Sequence, residues 1–115
     1  MEPARPAGTA APRDGKGGWS VKHCVLLKLA PGVDAEKVQH KVWKTFQKLD
    51  DELDWLNRPV ICRGCMEAAS DFDLMAEIDL ESEQLLWEYL RHPLTLKLEE
   101  DLKDVVETKA AFNHY

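Results

Sequence analysis

The sequence contains no apolar run near the roughly 18 residues that a membrane span needs. Its first residues, MEPARPAGTAAPRDGKGG, have no apolar h-region of the kind a secretory signal carries. Cysteine is scarce: three residues, an odd number, fit a reducing compartment better than a disulfide scaffold. The cytosol is therefore the default location, with a transit peptide as the weaker alternative, since the tail has Arg and Ala but also acids and almost no Ser. Basic residues are outnumbered 15 to 21, for a formal net charge of −6. Residues 1–18 carry +1 (Arg5, Arg13 and Lys16 against Glu2 and Asp14), which leaves −7 on the rest. Such a domain repels phosphate backbones and anionic lipid, and no local basic patch stands out in the order of residues. Nucleic-acid and membrane partners are set aside on that ground.

What is present is an ordinary globular composition, 44% hydrophobic and 31% charged, in 115 residues, enough for one domain and too few for two. Residues 1–18 are rich in Pro, Ala and Gly and lack large apolar side chains, so burial cannot offset their ordering entropy. They are expected to be a disordered tail, with the domain at 19–115.

VKHCVLLKL, 21–29, alternates, with Val21, His23, Val25, Leu27 and Leu29 on one face. The other face is mixed around Cys24 and Leu26, as in a strand covered on both sides at its centre. APGV is a turn and Asp34 an N-cap. Val38, Val42, Phe46, Leu49 and Leu53 then recur at helical spacing, so a helix is expected over 35–54, broken by Asn57-Arg58-Pro59. Strands are expected at 60–66 and 72–80, close enough to form an antiparallel hairpin. ESEQLLWEYLRH is a helix that starts near Glu81 or Ser82. His92 ends it, because a residue before proline disfavours helical backbone. Pro93 suits the first position of a further helix with His92 as its cap. Leu94, Leu98, Leu102 and Val105 carry that helix's stripe, and VETKAAFNHY closes the chain as a strand. The order β-α-β-β-α(α)-β is the ferredoxin-like pattern of the α+β class, an antiparallel four-stranded sheet with helices on one face. A domain this small that leaves one sheet face open is expected to be a homodimer.

These stretches resemble the stress-responsive α/β-barrel (Dabb) domain family. The resemblance rests on VKHCVLLKLAPGV, on Gly64 in the second strand, on SDFDLMAEIDLES leading into YLRHPLT, and on the terminal AFNHY, in that order and spacing. It implies a dimeric α+β barrel with a small apolar pocket between sheet and helices in each protomer. A polyketide cyclase of the family implies, position by position, that His23, Tyr89 and His92 face that pocket. Its catalytic second histidine is replaced here by Thr95, whose hydroxyl has no useful basicity near pH 7. Two of its pocket aromatics fall at Val106 and near Lys41. The expected site is thus His23 and Tyr89 for any chemistry, with Val25, Leu27, His92 and Thr95 lining it. No metal and no cofactor is implied.

The pair Cys62-Arg63-Gly64-Cys65 is the other chemical candidate. In an extended strand, positions three apart lie roughly 10 Å apart on opposite faces, while a disulfide needs Cα atoms within about 7 Å. No helix follows Cys65 as a thioredoxin-like pair requires, and no second ligand pair exists for zinc. Both are read as structural strand cysteines. His40 is read as solvated, His114 as a chain-end residue, and the acids at 50–54 as a solvated helix end. Three functions fit: a homodimer binding a small apolar or aromatic molecule, a small cofactor-free enzyme (cyclase-like or monooxygenase-like), and an assembly module.

Overall fold

The computed structural model describes residues 20–66 and 69–115, so the tail expected at 1–18 lies outside the described residues. Strand β1 (Val21–Leu29) leads into helix α1 (Ala35–Glu52), strands β2 (Leu56–Arg63) and β3 (Leu74–Leu80), helices α2 (Glu83–Arg91) and α3 (Pro93–Leu102), and strand β4 (Val106–His114). The strands form one sheet in the order β2-β3-β1-β4, antiparallel throughout. This is the ferredoxin-like arrangement expected from the sequence.

Local chemistry sets most boundaries. The Asp34 carboxylate accepts from Glu36 N, and the Ser82 hydroxyl accepts from Leu85 N, each satisfying an N-terminal amide of a helix. The His92 ring accepts from Leu94 N, and Pro93 opens α3 directly behind it. Several boundaries differ from expectation. Helix α1 stops at Glu52, and β2 begins at Leu56 rather than at 60. Asn57-Arg58-Pro59 does not interrupt that strand, because β2 is an edge strand and tolerates a proline without a ladder donor. The register with β3 shifts between Asn57 and Val60, and Arg58 sits there with φ 52°. At its far end β2 stops at Arg63, so Cys65 lies beyond the strand. Gly64 N donates to Asp73 O, and a Cβ at Gly64 would come 3.1 Å from the Phe72 carbonyl, which leaves little room for any side chain.

The core lies between the sheet and the helices. Leu27, Leu29, Leu74, Ala76, Ile78 and Leu80 meet Val38, Val42, Phe46 and Leu49 of α1, Leu86 and Tyr89 of α2, and Leu102 of α3. The opposite sheet face carries Cys24, Leu26, Met75 and Glu77 half-buried, with Val60 and Phe112 exposed. No helix packs there among the described residues.

Candidate functional site

The odd-numbered residues of β1 point toward the helices, and with them His23, Val25 and Leu27. In the antiparallel register His23 lies between Ile78 of β3 and Asn113 of β4, and Val25 between Ala76 and Ala111. Helix α1 adds Val42 and Phe46 from its buried stripe. Helices α2 and α3, turned against each other at His92-Pro93, bring Tyr89, Leu90, Thr95, Leu98 and Leu102 over the same patch of sheet. Together these enclose a cavity of about 400 Å³, with Glu99, Lys103 and Lys109 near its charged rim. That volume is in the range of small-molecule sites, and the walls are mostly apolar.

Four polar groups converge in this apolar space. His23 is buried, and its Nδ1 is hydrogen-bonded to Asn113 Oδ1. A carboxamide oxygen can only accept, so Nδ1 carries the proton and Nε2 keeps its lone pair. Burial pushes the imidazole below its ordinary 6.5; the Asn113 hydrogen bond works against that, and the Lys109 charge adds to the lowering. The Tyr89 ring stands edge-on to the imidazole, with centroids 5.5 Å apart and planes at 63°. Burial holds its phenol protonated far above the ordinary range, with the Glu99 charge acting in the same direction. Tyr89 is therefore a donor here, not a phenolate. Thr95 is 3% exposed, and its Oγ1 has no hydrogen-bond partner among the described residues.

The lowered His23 value gives a pH signature. The unfolded chain takes up a proton near 6.5, while the folded chain resists it until a lower pH. Stability is thus complete above about 6.5 and is lost as the pH falls through the folded value. Melting temperature followed from pH 8 to 5 is expected to fall less steeply in His23→Gln than in the wild type. Parallel curves would show that His23 titrates as it does in water.

The structure brings together five of the six residues singled out from the sequence: His23, Tyr89, Val25, Leu27 and Thr95 all line the cavity. His92 does not. Its ring is spent on the α3 cap, and its Nε2 lies 3.6 Å from Glu52 Oε1. Val106 lines the cavity, while Lys41 lies on the outer side of α1, where Val42 and Phe46 take the inward positions. Asn113 was missed, because only strand pairing places it beside His23. Cys62 and Cys65 are exposed and unbridged, and Cys24 is half-buried on the open sheet face, its thiol pushed up by burial and by Glu77. Among the described residues no three of His, Cys, Asp and Glu gather as a metal site would need, and no helix is long and apolar enough to cross a membrane.

None of the curated proteins compared with the sequence matches it. Solved structures do match. A dimeric protein of ferredoxin-like fold from Bacteroides fragilis superposes with a TM-score of 0.71 at 17% identity, covering 83% of this chain and 94% of that one. Hydroxynitrile lyase from Passiflora edulis gives 0.68 at 13% identity, with 83% and 91% covered. A putative antibiotic biosynthesis monooxygenase from Nitrosomonas europaea gives 0.69 at 11% identity, with 84% and 89% covered. At such identities the likeness speaks for the fold alone. The sequence itself goes further: residues 21–114 match the Stress responsive A/B Barrel Domain, the whole span from the start of β1 to the end of β4, and the chain belongs to that family.

Proposed function

We propose that this protein binds a small apolar or aromatic molecule bearing a hydroxyl group in the cavity between sheet and helices. The observation that carries this reading is Thr95 Oγ1, a buried hydroxyl that finds no partner in the protein among the described residues. Leaving such a group unsatisfied costs about 1–3 kcal/mol, and a ligand that hydrogen-bonds to it recovers that cost. His23 Nε2 offers only a lone pair, and Tyr89 and Thr95 offer hydroxyls. A ligand hydroxyl can donate to the first and accept from the others, whereas a carboxylate cannot donate at all. The working unit in this reading is a homodimer. Support comes from the apolar residues Leu26, Met75, Val60 and Phe112 on the open sheet face and from the dimeric Bacteroides protein of the same fold.

A matched pair of probes tests the reading. By titration calorimetry, 1-naphthol is expected to bind about tenfold more tightly than 1-methylnaphthalene, which has the same rings without the hydroxyl. Thr95→Val is expected to remove most of that difference and to leave the methyl compound unchanged. Equal affinities for the two probes in the wild type would overturn the reading.

A second reading, a cofactor-free enzyme, is favoured by the unprotonated Nε2 of His23 at neutral pH beside the Tyr89 phenol. That pair could take a proton from an O–H or C–H acid and steady the resulting oxyanion. Similar folds serve the Passiflora lyase and the Nitrosomonas monooxygenase. With Thr95 in place of a second histidine, the described cavity holds one imidazole and not two, which speaks against cyclase-type chemistry.

A further inference from the structure

The expectation that this acidic chain has no basic patch fails on α1. Lys37, Lys41, Lys44 and Lys48 follow one another at intervals of four, three and four residues, which puts all four on one outward stripe. Lys97 joins them from α3, and together they line a groove of about 610 Å³ between the two helices. Its floor includes Leu94 and Leu98, both half-buried. The acids that face it are Asp34 and Glu36 at the start of α1 and Asp101 on α3. Asp101 lies 3.5 Å from Lys41 and 3.4 Å from Lys97, so one carboxylate serves two cations. Lys37, Lys44 and Lys48 have no carboxylate partner among the described residues.

This arrangement is unfavourable for the helix itself. Like charges three and four residues apart repel, and Lys37 in the first turn opposes the positive end of the helix. An anion in the groove would relieve both. We propose that the groove between α1 and α3 docks a short acidic segment of another protein, its carboxylates on the lysine stripe and an apolar side chain on Leu94 and Leu98. The stripe is roughly 16 Å long at helical rise, which an extended peptide covers in about five residues. A longer polyanion is disfavoured. Past Lys48 the same helix turns acidic at Asp50, Asp51 and Glu52, with Asp54 just after it, and the domain as a whole carries −7. The groove shares Leu98 with the cavity around His23, but none of its five lysines lines that cavity.

The test is fluorescence anisotropy of the full chain with a fluorescein-labelled peptide of alternating glutamate and leucine pairs. Saturable binding that weakens by at least tenfold between low and moderate salt is expected. Lys44→Glu/Lys48→Glu is expected to abolish it, with circular dichroism unchanged. The neutral pair Lys44→Gln/Lys48→Gln is expected to weaken it about tenfold, which keeps the result readable if charge reversal disturbs α1. Arg91→Gln, exposed at the end of α2 and away from the groove, serves as the control and is expected to change nothing. The proposal is overturned by the absence of saturable binding at low salt, by an equal loss in the Arg91 variant, or by tighter binding of a short DNA duplex or of anionic phosphatidylserine vesicles than of the peptide.

Discussion

Ile78→Ala is expected to destabilise the protein by about 2–5 kcal/mol, the range for deleting a large aliphatic side chain from a rigid core. Ile78 is 0% exposed and sits in the middle of β3, one of the two inner strands. It faces His23 across the ladder with β1, and its side chain lies on the helix-covered face. Neither neighbour strand can close onto a hole there, because each is held by its own hydrogen-bonded register. A β-branched residue is also lost from a strand, where it packs well. For a domain of this size, each kcal/mol shifts the melting temperature by about 4–8 °C, so a fall of roughly 10 °C or more is expected in a thermal scan. Leu96→Ala, on the exposed side of α3, is expected to stay within about 0.5 kcal/mol. A shift at Ile78 no larger than at Leu96 would mean that the sheet is not packed as described.

Features fixed by neighbours in the chain were legible in the sequence; those fixed by distant pairing were not. Asp34, Ser82 and His92-Pro93 are caps, and a cap is written within four residues. The alternation in β1 placed His23, Val25 and Leu27 on one face, while Tyr89 and Thr95 were assigned to the same space by the family resemblance and not by spacing. Asn57-Arg58-Pro59 read as the break after the first helix, because a proline cannot continue one. Only the sheet order reveals that β2 is an edge, where a left-handed residue and a proline fit. Asn113 was invisible for the same reason: AFNHY gives its parity but not its partner, and its role depends on lying opposite His23. His92 shows the converse, since a local duty at the α3 cap takes the ring away from the cavity that the family resemblance implied. The lysine stripe was legible in principle from its spacing. It was hidden by a charge count taken over the whole chain, where the acids outweigh it.

The second large effect is expected at Lys22, on the open face of the sheet. Asp79 is 2% exposed, and the β1–β3 register sets it directly opposite Lys22. Lys22 Nζ lies 2.9 Å from its Oδ1, and an Arg58 guanidinium nitrogen lies 3.5 Å from its Oδ2. The irregularity in β2 makes the second contact possible, since Arg58 leaves the regular strand path there with φ 52°. The two partners differ in what they lose when the pair is broken. Lys22 and Arg58 are 37% and 64% exposed in their side chains and can return to water; Asp79 cannot. Removing the cation should therefore cost more than removing the anion's charge. Lys22→Met, which keeps the aliphatic stem, is expected to cost about 1.5–3 kcal/mol, the range for a hydrogen bond to a charged group. Asp79→Asn is expected to cost less, and the double variant Lys22→Met/Asp79→Asn to recover part of the Lys22→Met loss, because the buried charge that has lost its nearest cation is then gone. Urea denaturation of the four proteins closes the cycle. Repeating it in high salt separates a buried pair, which is only weakly screened, from a surface one. Additive single-site costs, or a Lys22→Met loss below about 0.5 kcal/mol as at a solvent-exposed pair, would show that Asp79 draws its stability from its other contacts and not from Lys22.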